Sequence, residues 1–350
     1  MPAPSQQKPF VVPVFIPHAG CPHRCVFCNQ RKTTGQKAPL PAVCQIHETI
    51  SRFLSFRQDA HRRTEISFYG GNFLGLPPDQ ISTLLGLGAT YVAAGTAQGL
   101  RFSTRPDSIN PDTLALISGF PVTTIELGVQ SLNDKVLAAC RRGHTVLDTH
   151  RAVSLLHSEP YRLGLQMMVG LPEDTSARSL DTAREIAALC PDFVRIYPTL
   201  VLEGSPLAQW FAQGRYAPMG LNETVELVCR LLSLFLRNNI KVVRMGLQPT
   251  EDLNADRGVV AGPFHPAFGE LVYSALWRAA LQAWFSAHRP DGRSLEITVH
   301  PSMLSRLRGY KNENLNWMHA QFNGFQIEIS ASPDLPTDRA LINGTVCRLF

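Results

Sequence analysis

No run of about 18 apolar residues occurs in the 350 residues, so no membrane-crossing helix is expected. The N-terminus MPAPSQQKPF lacks the basic stretch and apolar core of an export signal. Low-complexity tracts and convincing internal repeats are also missing, which argues against linker-rich and solenoid architectures. Lysine is scarce. Of 33 basic residues only 6 are lysine, leaving 27 arginines, and the net charge is a modest +5. Arginine suits bidentate phosphate contact and base stacking, although genomic base composition produces the same excess. A disulfide framework is absent as well. Five of the eight cysteines (Cys44, Cys140, Cys190, Cys229, Cys347) are scattered singly through apolar or helical-looking stretches, the pattern of buried free thiols in a reducing cytoplasm.

What is present is a full core and a regular alternation. Hydrophobic residues make up 44% of a chain long enough for one large α/β domain and a smaller module. Short apolar strands are predicted at 11–17, 65–69, 100–104, 123–129, 162–169 and 193–198, each followed by a helix-compatible stretch. Six βα units imply a parallel sheet with right-handed crossovers, curled into a partial (β/α)6 TIM-like barrel over residues 1–250. Functional residues then belong on the loops after the strands. Beyond residue 200 the pattern changes: SPLAQWFAQGRYAPMG reads as irregular, helices are expected at 222–238 and 269–287, and a short strand at 240–245. Residues 251–350 are expected to form a C-terminal α/β module.

Directly after the first strand, PHAGCPHRCVFCNQ places Cys21, Cys25 and Cys28 in a CxxxCxxC triplet. Three thiolates are one short of the four protein ligands that structural zinc and ordinary ferredoxin clusters use. The triplet therefore suggests a 4Fe-4S cluster with one iron left for a non-protein ligand. Zinc completed by His18, His23 or Cys44 is the alternative. The second predicted strand ends in SFYGGN, where Gly70 and Gly71 allow close backbone approach. In TTIELGVQS, period-two alternation puts Glu126, Gly128 and Gln130 on one face. Buried polar groups need partners, so a ligand is expected for that face.

The cysteine spacing, with Phe27 before the last thiol, resembles the signature of the radical S-adenosylmethionine (radical SAM) superfamily. That resemblance implies that the open iron binds the amino and carboxylate groups of S-adenosylmethionine. It also implies cosubstrate contacts for Gly70, Gly71 and Asn72, the last standing where relatives carry Glu or Thr. Gln130 is then expected on the ribose, with Arg142 paired to the methionine carboxylate as a bidentate fork. Ser103 and Gln166 supply polar contacts, and the backbone about Gly170 holds adenine. An external electron donor such as flavodoxin or ferredoxin is also implied.

STRPDSI, IELGVQS, RRGHT, MMVGLP and IYPTLVLEGSPL, in that order, resemble the radical SAM half of the catalytic Elongator subunit, a tRNA-modifying protein. The resemblance covers residues 10 to 250 and implies RNA, specifically tRNA, as substrate. The Elongator protein continues into an acetyltransferase domain. About a hundred residues follow here, and no acetyl-CoA site is recognisable in them. Tetrapyrrole or other small-molecule chemistry, and a non-catalytic cluster-bearing RNA-binding or assembly protein, are the alternatives. In the tail, residues 295–330 read as strand, helix, Gly-Tyr-Lys-Asn turn, helix, strand, the order of a KH-type RNA-binding core. Lys311, Arg306 and Arg308 would supply its positive charge, with Asn312 taking left-handed geometry. An ordinary cap over the barrel is the alternative. His265, in the rigid string GPFHPAFGE, is a candidate on the substrate side.

Overall fold

The computed structural model describes residues 9–30, 40–59, 62–247, 258–288, 290 and 292–350. Seven strands form one parallel sheet in sequence order: β1 (Phe10–Phe15), β2 (Thr64–Tyr69), β3 (Gly99–Thr104), β4 (Val122–Gln130), β5 (Arg162–Val169), β6 (Phe193–Pro198) and β8 (Lys241–Met245). The intervening two-residue β7 (Val201–Leu202) pairs antiparallel with β9 (Val259–Ala261). A strand covered on both faces must be buried on both, and in β4 every residue except Thr123 is buried.

Helices α1 (Val43–Ser55), α2 (Pro78–Ala93), α3 (Pro111–Ile117), α4 (Asp134–Ala139), α5 (Val146–His157) and α6 (Ser176–Ala188) fill the crossovers between the first six strands. Their starts are written in the sequence. Asn110 caps α3 with Pro111 at the first helical position, and Thr145 and Asp148 form a reciprocal capping box on α5. On α8 (Leu221–Arg237), Val225, Val228, Leu232 and Phe235 recur at helical spacing and are buried. This helix feeds β8, so the barrel has one βα unit more than the six expected. The segment between β6 and α8, which includes the short α7 (Pro206–Ala212) where irregular chain was expected, interrupts the alternation and hides that unit.

The C-terminal sheet has the order β11-β10-β12-β13, with β10 (Ser294–Val299) parallel to β11 (Gln326–Ala331) and antiparallel to β12 (Arg339–Ile342). β12 continues by an antiparallel turn into β13 (Thr345–Arg348). Between β10 and β11 run α10 (Leu304–Arg308), the turn at 309–312 and α11 (Glu313–Gln321). The strand, helix, turn, helix, strand order expected for the tail is thus observed. A boundary at 250 falls outside the described residues. α9 (Phe268–Ala287) carries apolar side chains around most of its circumference and lies between α8 and the C-terminal module. Trp277, on α9, is fully buried; burying an aromatic of this size contributes on the order of 1.5–3 kcal/mol.

Candidate metal and cosubstrate site

The cysteine loop leaves the C-terminal end of β1 and is seated on main chain. A Cβ on Gly20 would lie 2.2 Å from the Asn72 carbonyl oxygen, one on Gly71 2.4 Å from that of Ala19, and one on Gly75 2.3 Å from that of Gly20. Only glycine permits contacts this close, so the loop and the turn after β2 meet backbone to backbone. Gly70, at φ +99°, accepts the His18 N–H on its carbonyl at 3.1 Å. The Gly pair therefore presses on the cysteine loop, where an approach to ligand had been expected.

Asn72, 2% exposed, is likewise turned inward. Its Nδ2 donates to the Gly20 carbonyl at 3.0 Å and to Ser108 Oγ at 2.8 Å, while Oδ1 accepts from Thr104 Oγ1 at 2.7 Å and Arg105 N at 3.0 Å. Both ends of the amide are occupied by protein. The expected cosubstrate contact by this side chain is corrected to a clasp between the loop and the end of β3.

Two other segments hold the loop. Val26 N donates to the Cys140 carbonyl at 3.1 Å, and Leu207 N donates to the Val26 carbonyl at 2.8 Å. Phe27 packs with Val26, Val136, Leu171, Val201 and Leu207 in a small apolar cluster behind the thiols. Burial and repulsion from Cys25 push both Cys21 and Cys28 upward, although among the described residues no three metal-ligating side chains are gathered closely enough to hold an ion as they stand. Bare thiolates at Cys21 and Cys28 are therefore disfavoured, and a cation that took them as ligands would reverse the balance. Arg142 and Arg105 oppose the rise at Cys21. Neither His18, His23 nor Cys44 joins the set. His18 Nε2 accepts the Gln30 N–H at 3.1 Å, His23 packs on Gly143, and Cys44 is exposed. Exposure of Cys44 and Cys190 also corrects their expected burial.

Arg142, in the turn after α4, is buried with its guanidinium on the loop. Nη1 donates to Cys25 Sγ at 3.2 Å, Nη2 donates to the Gly128 carbonyl, and Nε has no partner. Gln130 stands beside it at a bulge in β4, in left-handed backbone at φ +67°, with a buried Oε1 that no protein group satisfies. Unsatisfied buried polar atoms at the edge of a thiol loop are what a polar ligand would complete. By donor type, the three soft thiols and these orphaned polar atoms suit a cluster and a polar cosubstrate.

His144 was not singled out from the sequence and lies in the same place. It is 4% exposed, neither ring nitrogen has a well-formed hydrogen bond, and its pKa is lowered to about 3 by burial and by Arg142 and Arg105. The imidazole is neutral in the fold. An unfolded chain takes up the proton near the ordinary value, so stability is expected to fall as pH drops from about 6.5 towards 3, by roughly 1.4 kcal/mol per pH unit. Urea unfolding of wild type and His144→Gln between pH 7 and 5 checks this; the variant should show the shallower pH dependence.

Glu126 has its partners inside the barrel. It is fully buried and accepts Arg101 Nη2 at 2.7 Å, pairs with Arg195 Nε at 2.6 Å, and accepts Tyr69 Oη at 3.1 Å. Burial opposes ionisation, yet the two guanidiniums hold its carboxyl below the usual range. The expectation of a ligand on Glu126 is thereby corrected to an internal ion network. Gln166 Nε2 bridges this network to Ser103 Oγ, both at 3.3 Å, so Ser103, Gln166 and Glu126 do converge. Gly170, at φ +72°, follows β5; its carbonyl accepts Tyr216 Oη at 2.5 Å and Met219 packs over it.

In the tail, Asn312 adopts left-handed backbone at φ +60° and ψ +25°, and Lys311 and Arg308 are exposed. Arg306 differs from expectation. It is bound bidentately to Glu270 at 2.9 Å and lies 3.8 Å from the Tyr273 ring centre, so its charge locks α10 to α9. Tyr310 meets His265 edge to face at 5.1 Å. His265 itself lines a small recess with Pro198, Leu200, Gly246 and Phe264, where β6 and β8 end.

The radical SAM superfamily model matches residues 15–186, and the Radical_SAM C-terminal domain model matches residues 191–278. The chain belongs to the radical SAM superfamily of enzymes, in which a 4Fe-4S cluster and S-adenosylmethionine are the implied cofactors. An uncharacterized protein of Methanocaldococcus jannaschii is 27% identical over 65% of this chain and 72% of its own length. The tRNA uridine(34) acetyltransferase of Dehalococcoides mccartyi is 32% identical over 57% of this chain, which spans about half (50%) of that protein. The solved structure of the archaeal Methanocaldococcus infernus Elp3 superposes at a TM-score of 0.59, with 22% identity, over 78% of this chain and 64% of that one; the likeness is one of fold. Among the described residues no helix is long and apolar enough to cross a membrane.

Proposed function

We propose that the chain reductively cleaves S-adenosylmethionine and acts on RNA, specifically tRNA. The observation that carries this reading is Arg142, a buried guanidinium resting on Cys25 Sγ with Nε free and the unsatisfied Gln130 amide beside it. Cys21, Cys25 and Cys28 would hold the cluster. Held there, the cluster would supply the one-electron reduction that divides the cosubstrate into methionine and the 5'-deoxyadenosyl fragment used for hydrogen abstraction. Arg142 would turn its fork to the methionine carboxylate, and Gln130 and Gln166 would bind the ribose. Ser103 steers Gln166, and Phe27 with its apolar cluster keeps water from the inner side of the loop. Anaerobic reconstitution with dithionite tests the reading. Methionine and 5'-deoxyadenosine should form, and deuterium from a labelled tRNA should enter the latter; neither product forming would overturn it.

The RNA assignment is supported by the tRNA-modifying relatives and by the tail, where the 309–312 turn offers Lys311 and Arg308 beside the start of α11. We infer that this turn holds an RNA backbone. Replacing Lys311 and Arg308 by Glu should reduce RNA affinity and lower the slope of log affinity against log salt by about 0.7–0.9 for each phosphate that is no longer neutralised. Filter binding at several salt concentrations measures this. A cap that does not touch RNA would instead lose thermal stability, with the salt slope unchanged.

A further inference from the structure

The recess that His265 lines is built by three segments distant in sequence. Pro198 ends β6 and Leu200 lies just beyond it, Gly246 follows β8, and Phe264 and Phe268 lead into α9. Gly246, at φ +77°, lets these segments close up, because a Cβ there would lie 3.0 Å from that of Phe268. β1, β6 and β8 belong to one parallel sheet, so the recess lies at the same rim of the barrel as the cysteine loop. The imidazole is fixed in one role. Ala267 N donates to His265 Nδ1 at 3.1 Å, and Phe268 N donates to the His265 carbonyl at 3.1 Å. With Nδ1 accepting, the neutral ring carries its proton on Nε2, and that N–H finds no hydrogen-bond acceptor among the described residues. Tyr310, 41% exposed, stands across the ring at an interplanar angle of 88°. Lys311 Nζ lies 5.4 Å from the Tyr310 ring centre. Glu270, in the first turn of α9, is paired with Arg306.

We propose that His265, Tyr310 and this recess hold one unstacked base of a bound RNA. The inference rests on the RNA reading of the 309–312 turn and adds a site for a base to its phosphate contacts. The base lies against the Tyr310 ring over the apolar floor, and a carbonyl oxygen or ring nitrogen on its edge accepts from His265 Nε2. The adjoining phosphate takes Lys311. Single-stranded RNA is recognised in this manner, with aromatic rings against splayed bases and donors aimed at their edges. A base still stacked within a duplex could not reach the floor.

Fluorescence anisotropy on the cluster-loaded protein tests the site with two probes of equal length, an oligouridylate of about ten nucleotides and the same ribose-phosphate chain without bases. Wild type is expected to prefer the oligouridylate about tenfold, the usual contribution of one base on an aromatic ring. Tyr310→Ala should lose that preference while holding the abasic chain as wild type does, and Tyr310→Phe should keep it. His265→Asn retains an acceptor for Ala267 N but has no donor at the Nε2 position, so it should cut the preference about threefold. Equal binding of the two probes by wild type, or a preference unchanged in Tyr310→Ala, would overturn the base site and leave the phosphate contacts standing. Failure of wild type to bind either probe would remove the RNA reading itself, and this site with it.

Discussion

Alanine at any one of Cys21, Cys25 or Cys28 is expected to abolish the cluster, taking iron and acid-labile sulfide from about four of each per chain to near zero. On the proposed reading each of the three would supply one of only three protein ligands, so no partial site would remain. The same substitution at the other five cysteines should leave the cluster in place. Cys140 is the stringent control. Its thiol is buried beneath the loop and pushed up to about 12 by burial and by Cys25, so it stays protonated. Its contribution to the loop is a backbone carbonyl, which alanine retains. Metal and sulfide analysis with absorption spectra of all eight single variants gives the answer. Stoichiometric zinc in place of iron would end the assignment.

Arg142→Ala should weaken S-adenosylmethionine binding while the cluster is still assembled. Hydrogen bonds to charged groups contribute about 1.5–3 kcal/mol, a loss of roughly ten- to 150-fold in affinity. Gln130→Ala and Gln166→Ala remove neutral hydrogen bonds and should cost about 0.5–1.5 kcal/mol each. Arg142→Lys keeps a charge but not the planar fork, so it should restore only part of the affinity. Anaerobic calorimetry on loaded protein compares the four. Unchanged affinity in the alanine variant would remove Arg142 from the site.

The barrel strands were legible because each presents a run of apolar residues that is buried in the fold, from Val12 and Val14 in β1 to Val194 and Ile196 in β6. The candidate site at the head of β1 could be picked out because the spacing of three thiols is local information. Partners distant in sequence were not. Glu126 looked like a polar residue awaiting a ligand, since nothing in TTIELGVQS shows that Arg101 and Arg195, 25 and 69 residues away, close on it. Asn72 was misread for the same reason. Its four partners come from the cysteine loop, the end of β3 and the turn that follows. His144 carried a faint signal, a histidine two residues after the arginine fork, but its burial between two cations depends on the packed turn. The seventh strand was recognised as a strand and missed as a barrel member, because α7 and β7 separate it from the alternating pattern.

The seam of Gly20, Gly71 and Gly75 has a bearing on how the protein lives with iron. Small zinc domains gain their fold from the ion, so that losing it unfolds them. Here the seat of the three thiols is closed by main-chain contacts and by the Asn72 clasp, all of which are complete once the polypeptide has folded. On the proposed reading, metal loading would thereby be separated from folding. Oxygen that strips the cluster should leave an intact socket, and fresh iron and sulfide should restore the protein without a cycle of unfolding and refolding.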